Sequence, residues 1–441
     1  MSQLKMLVLF LLVGFLNNVH SQELAFDSVI HFSFDNQVII ERDVDQTADA
    51  NESANEDIED MFSFEELLVG QLKPYRLMLT PGENPSEMIN VTFALPQSID
   101  SASVLVLDTQ GHLVDTYDAV FVEQLQFAES ELLNIFKASL IELKPDTSYT
   151  YYLRSGELIS QQYQFETVGT KEVILSFFGD IQGYKRSQYD AFRRIYEHML
   201  LESGNPDINL LAGDLVDDGE EDEQWNYLDL AMGDYFDDRL WMTPIGNHDV
   251  MGSDENFIHS FNFPDNGIIL LEERNYYIDL PNVRIAVIDT ESPSLFKEQT
   301  AWLNDIMLSE KNKFKIVLMH RSVYPMRYNE NYIREFSSVF EALGVDLVLS
   351  GHDHIYNRTT VKDEKVVEID KGVTYLVGGS GSGSKYYKAD TSAKRYWKSL
   401  YYDENNPVYT VIKATQFQIL IRVYAVENDT SLIIDEFVLT K

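Results

Sequence analysis

The 441-residue sequence contains no cysteine. That excludes disulfides, thiolate metal sites and cysteine nucleophiles, so any metal must be held by histidine, carboxylate or amide groups. It also excludes a lipid anchor attached through cysteine. Basic residues are scarce: 34 Lys and Arg stand against 72 Asp and Glu, for a net charge of −38. Such a field repels polyphosphate backbones and argues against nucleic acid as a partner. A small anionic ligand would have to be drawn in by local cations. Long apolar runs are also missing, except at the N-terminus. There Lys5 precedes an apolar stretch at residues 6–16, and Val19-His20-Ser21 follows, the pattern of a cleaved export signal over residues 1–21. A membrane anchor is the competing reading, but the run is shorter than the ~20 residues a spanning helix needs. The expectation is a secreted protein, extracellular or periplasmic, with no stable membrane insertion after cleavage.

What is present is ample for packed cores: 44% of residues are hydrophobic and 12% aromatic. The length suggests two or three domains. Residues 22–71 read as an acidic linker with one possible strand near residues 29–34. Within it, residues 41–66 carry eleven acidic residues and one basic residue, the composition of a solvated segment. From 72 to 168 the pattern is all-β. Short runs at residues 77–80, 89–93, 103–107 and 149–153 are separated by Pro81-Gly82, Asn84-Pro85, Asp108-Thr109-Gln110-Gly111 and Lys144-Pro145-Asp146-Thr147. This spacing predicts a small β-sandwich.

From 172 to 441 the grammar is α/β. Apolar strands are expected at residues 173–178, 209–212, 240–245, 284–288, 315–319 and 345–350, with a helix near 188–201. Each strand stops at a polar or glycine-containing cluster. In a layered α/β sheet, ligands gather at the carboxyl ends of such strands. Strands at residues 373–377, 417–424 and 431–439 close the chain, the last two as a hairpin.

Those strand ends carry the chemistry. In order they supply Asp180, Asp214, Asn247 with His248, Asp289, His320, and His352 with His354. Of the nine histidines, His20, His31, His112, His198 and His259 lie outside such clusters, and the other four all fall at strand ends. Two cations placed ~3.5–4 Å apart need a bridging carboxylate and terminal ligands delivered from separate strand ends. Asp180, Asp214, Asn247, His320, His352 and His354 form such a set, and their donor atoms suit zinc, iron or manganese. The glycine-rich stretch at residues 378–383 reads either as a tight connection or as a phosphate cradle. Arg321 and Tyr324 could contact a substrate or simply pack.

Gly179-Asp180-Ile181-Gln182, Gly213-Asp214-Leu215-Val216-Asp217, Gly246-Asn247-His248-Asp249, the lone His320 and Gly351-His352-Asp353-His354 resemble the five ordered blocks of the calcineurin-like metallophosphoesterases. Residues 74–93, 137–149 and 165–167 resemble the fibronectin-type-III-like domain that precedes the catalytic domain in purple acid phosphatases, and Gly351-His352-Asp353-His354-Ile355-Tyr356-Asn357-Arg358 resembles the same branch. The resemblance implies an αββα sandwich after a small all-β domain. It implies a dinuclear centre with one metal on Asp180, Asp214 and His354, the other on Asp214, Asn247, His320 and His352, and Asp214 bridging. It further implies that His248 acts as a non-ligand catalytic residue, oriented by Asp249 or a neighbour. The activity implied is hydrolysis of phosphate esters, most naturally monoesters, by a metal-bound hydroxide. A nucleotide or diester substrate, or a non-catalytic surface-binding role, are the alternatives.

Two positions depart from the purple branch. Its iron-binding tyrosine, three residues after the bridging aspartate, is replaced by Asp217, and Gln182 stands where glycine or histidine is usual. Gln182 could ligate through its amide oxygen, hold a water, or pack. The loss of the tyrosine predicts a colourless enzyme. Residues 321–351 contain no histidine, so the additional substrate-side histidine of plant-type members is missing.

Overall fold

The computed structural model describes residues 68–128, 131–311, 313–327, 331–392, 395, 397 and 400–441. The expected export signal, most of the acidic linker and the possible strand near residues 29–34 lie outside the described residues.

The all-β part already includes Leu68–Val69, which pairs in parallel with Leu158–Ile159. Its nine strands form one continuous sheet folded on itself. The fold-over is made by a single 16-residue strand, Leu113–Ala128. Its first half pairs with Ala102–Leu107 and its second half with Glu131–Leu140. A register shift between Phe121 and Gln124 marks the bend, as expected where one strand passes between two packed layers. The inner faces bury Val91, Phe93, Val104, Val106, Phe136 and Tyr151.

Two further sheets stack face to face. One has the order Trp241–Met242, Ile208–Leu211, Val173–Phe178, Val408–Ala414, Gln418–Glu427, Thr430–Thr440. Its first three strands run parallel and the rest antiparallel. The other sheet is built on the parallel strands Val283–Ile288, Phe314–Met319, Leu347–Ser350 and Val373–Gly378. Alternation between two buried faces explains why these strands read as apolar runs, broken by charge only at Arg284 and Lys315 near the starts of two of them. Phe314, Ile316 and Leu318 join the core between the sheets, while Val317 and Met319 pack beneath the helices Phe296–Ser309 and Glu335–Leu343. Ile285 and Val287 against Ala286 and Ile288 repeat the division. On the far side, Arg186–Ser203 and Asp222–Phe236 cover the first sheet through Phe192, Tyr196, Met199, Leu228 and Met232. Each such side chain contributes about 1.5–3 kcal/mol when fully buried. The layers are therefore helix, sheet, sheet, helix.

The strand expected at residues 240–245 is only Trp241–Met242. Pro244 has no N–H to give a ladder, and Thr243 Oγ1 donates to the Pro244 carbonyl, so the chain leaves the sheet early. Among the described residues no helix is long and apolar enough to cross a membrane.

Candidate metal centre

The parallel strands of the two sheets end along one rim, and the turns that follow hold the polar residues. Two of the motif glycines are there because of close approach. A Cβ on Gly246 would run into Asp214, and one on Gly351 would run into Asp180 Oδ1 and Ala212. The turns are also bent hard. Asp214, His352 and His354 sit in the left-handed region at φ 51°, 66° and 54°, which costs a non-glycine residue about 1–3 kcal/mol. Three candidate ligands in this state mark a site that the surrounding structure holds in place.

The side chains converge. His354 Nε2 lies 3.1 Å from Asp180 Oδ2, and His320 Nε2 lies 3.3 Å from Asp214 Oδ1. His320 Nε2 is also 3.1 Å from Asn247 Oδ1 and 3.2 Å from His352 Nδ1. The far nitrogens fix the tautomers: His320 Nδ1 donates to the Ala212 carbonyl at 2.8 Å and His354 Nδ1 to the Lys385 carbonyl at 3.2 Å. Each Nε2 is thereby left as a lone pair aimed inward. Backbone N–H groups orient the carboxylates, His352 donating to Asp180 Oδ1 and His248 to Asp214 Oδ1, both at 2.8 Å. Two groups result, Asp180 with Asp214 and His354, and Asp214 with His320 and His352. The ligand atoms in each lie within 4.8 Å of one another, and Asp214 belongs to both.

Acceptors crowded in this way need positive charge between them. Burial lowers the affinity of His320 for a proton, yet Asp214, Asp180 and Glu291 overcome it and hold its pKa up at about 9. Burial likewise pushes Asp180 up, but His354, then His320 and His352, bring it down to about 2. Oxygen and imidazole donors gathered in this way fit zinc, iron or manganese. Gln182 adds an orphaned atom. Its Nε2 donates to Asp214 Oδ2 at 3.3 Å, while its buried Oε1 has no hydrogen-bond partner among the described residues. A buried carbonyl in that state costs about 1–3 kcal/mol, which a cation or bound water would relieve.

His248 differs from these residues. Its side chain is 25% exposed, and its Nδ1 lies 2.6 Å from the Asp217 carbonyl. Asp249 is not its partner. That side chain is fully buried and accepts from the N–H groups of Leu215 at 2.7 Å, Val216 at 3.3 Å and Gly246 at 2.9 Å. Burial, then the charge of Asp214, pushes its pKa up to about 7. Asp249 ties the loop after Asp214 to the turn before Asn247. Asp353 acts alike, accepting from Met326 at 2.6 Å and Arg327 at 3.0 Å and so fixing the segment after His320. The orienting neighbour of His248 is Asp217, whose own N–H and that of Asp218 are held by Gln224 Oε1 at 2.8 and 3.0 Å.

Tyr324 is a core residue bonded to Ser337. Arg321 is clasped by Glu291 and comes within 3.3 Å of His352 Nε2. Gln224, Glu291 and Lys385 gave no local sequence signal, because each reaches the site from a loop or helix with no motif of its own.

Residues 175–356 match the family model of calcineurin-like phosphoesterases. The chain carries a calcineurin-like phosphoesterase domain. A phosphoenolpyruvate phosphatase of Allium cepa is 23% identical over 304 residues, covering 63% of this chain and 61% of that protein. The chain thus spans about three-fifths of the length of that curated relative. A purple acid phosphatase from yellow lupin (Lupinus luteus) seeds superposes with a TM-score of 0.70 at 18% identity, over 84% of this chain and 74% of that one. PhoD superposes at 0.58 with 14% identity, over 83% and 90%. These likenesses establish the fold, a phosphoesterase sandwich of mixed α/β layers preceded by an all-β region.

Proposed function

We propose that the protein is an exported hydrolase of phosphate esters, acting on phosphomonoesters with two metal ions. The observation that carries this reading is the pair of ligand groups sharing Asp214 within a calcineurin-like phosphoesterase domain. One ion would be held by Asp180, Asp214 and His354, with Gln182 Oε1 as a neutral further donor. The other would be held by Asp214, Asn247, His320 and His352. When bound, such ions supply an activated water and neutralise the phosphoryl oxygens.

The chain's own residues do the rest. His248 donates through Nδ1 to the Asp217 carbonyl. That leaves Nε2 to hold the proton delivered to the departing alcohol oxygen. Asp249 and Asp353 keep the ligand-bearing turns from relaxing, so the cage needs no rearrangement on binding. The proposal of export rests on the charge and apolar pattern of residues 1–21. The name of the onion relative makes phosphoenolpyruvate the first monoester to try.

The test is metal analysis of the purified protein beside a panel of phosphomonoesters, diesters and nucleotides. About two zinc, iron or manganese ions per chain and fastest turnover of monoesters are expected. Less than one ion and no hydrolysis would leave a binding protein, whereas a preference for diesters or nucleotides would overturn the substrate class. His248→Ala should lower kcat about 100-fold with metal content unchanged.

A further inference from the structure

We propose that Lys385 selects dianionic phosphate monoesters over monoanionic diesters, an inference that rests on the hydrolase reading above. Its backbone is fastened to the cage at three places. Gly381 N–H donates to the Asp180 carbonyl at 3.0 Å, Ser384 Oγ to the Gln182 carbonyl at 2.6 Å, and His354 Nδ1 to the carbonyl of Lys385 itself at 3.2 Å. The glycine-rich turn before it is thus a tight connection that fixes where the lysine starts. From there the side chain crosses to the opposite loop and forms an ion pair with Asp217, whose carboxylate lies 3.8 Å from His248 Nδ1.

Exposure shows which side of the cage this is. The side chains of Lys385, Asp217 and His248 are 26%, 31% and 25% exposed, against 0% for Asp180, 2% for Asp214, 0% for His320 and 4% for His354. With the half-buried Asn247 and His352, these three residues lie on the solvent-facing side of the centre, from which an ester can approach. An ammonium group has three donors, and the bond to Asp217 uses one. In a chain of net charge −38, a cation fixed at this side is what an incoming dianion meets. Another cation near the centre, Arg321, is held in two-pronged contact by Glu291 and sits against the candidate ligand His352. A monoester offers one more charge and one more free oxygen than a diester, and Lys385 is placed to bind that difference.

The test compares wild type, Lys385→Met and Lys385→Arg. It reads kcat/KM for p-nitrophenyl phosphate and for bis(p-nitrophenyl) phosphate, the affinity for inorganic phosphate by calorimetry, and bound metal. Lys385→Met should lower kcat/KM for the monoester about 10- to 100-fold, chiefly through KM, since a charge-assisted hydrogen bond is lost. The loss on the diester should be at least about tenfold smaller, phosphate affinity should fall with the monoester, and Lys385→Arg should recover most of it. Equal losses on both esters, undiminished phosphate affinity, or loss of metal from Lys385→Met would overturn the assignment. If the metal-loaded wild type hydrolyses neither ester, the hydrolase reading fails instead, and the phosphate calorimetry still decides the role of Lys385.

Discussion

Replacing Arg76 by methionine should destabilise the protein sharply, and more at neutral pH than at pH 5. Arg76 belongs to the all-β part, where it takes a left-handed φ of 47° beside a register shift in its strand. Its guanidinium is driven into the phosphoesterase domain. Nη1 donates to Asn256 at 2.8 Å, Nη2 to Asn226 at 2.8 Å and to the Asp222 carbonyl at 3.3 Å, and Nε to Asn226 at 3.2 Å. Burial lowers its pKa to about 10, so it remains a cation throughout the working range. Its backbone N–H donates to Asp229 at 3.4 Å. Burial raises Asp229 to about 6, and the nearby charge of Arg76 keeps it from going higher. The folded pKa of Asp229 lies above the ordinary 3.8, so its proton favours the folded state below that value, and the benefit is lost as pH rises toward 6. At pH 7 a charged Asp229 costs about 3 kcal/mol even with Arg76 present. Arg76→Met takes away the compensating charge and the hydrogen bonds to Asn256, Asn226 and the Asp222 carbonyl, for a loss of about 3–5 kcal/mol at pH 7.5. At pH 5 Asp229 is already mostly protonated, and the charge portion of that loss disappears. Scanning calorimetry of wild type and variant at both pH values measures the difference. A Tm lowered by less than about 2 °C, or a loss as large at pH 5 as at pH 7.5, would refute the account. Asp229→Asn in the Arg76→Met background should restore part of the neutral-pH stability.

Asp214→Asn should lower kcat/KM at least about a thousandfold and reduce bound metal, because the shared carboxylate is lost to both ligand groups; retained activity on a monoester panel would contradict the bridging role. Asp249→Asn should weaken metal affinity about 10–100-fold, since an amide cannot accept from Leu215, Val216 and Gly246 on both ends, and a competition titration with a chelator measures it. The metal-loaded protein should show no tyrosinate charge-transfer band in the visible, because Asp217, paired with Lys385, stands where the coloured relatives carry tyrosine; a visible band abolished by mutating a tyrosine would contradict this.

Much of the centre was legible because the sheets make it so. Phe314–Met319 and Val283–Ile288 are buried on both faces, so after Lys315 and Arg284 near their starts they read as apolar runs, and the first polar residue after each run falls on the rim where ligands collect. The long strand Leu113–Ala128 was not legible for the opposite reason. It keeps Val114, Val120, Phe121 and Val122 exposed, interleaves them with Asp115, Asp118 and Glu123, and shifts register midway, so neither face carries a regular period. Arg76, Gln224 and Lys385 were invisible because their partners are brought close only by the fold. Asp249 is the instructive case. Its position beside His248 suggests a partner for the imidazole, and two residues so close in sequence invite that reading. The turn points them apart: His248 Nδ1 finds the Asp217 carbonyl, and Asp249 turns inward to three backbone N–H groups. Asp353, between His352 and His354, has turned inward in the same way. In both motifs the aspartate answers the demand that the bent backbone creates, since a turn that exposes ligands must bury N–H groups without strand or helix partners. The aspartates therefore belong to the motifs as braces, and the chemistry belongs to the residues they hold in place.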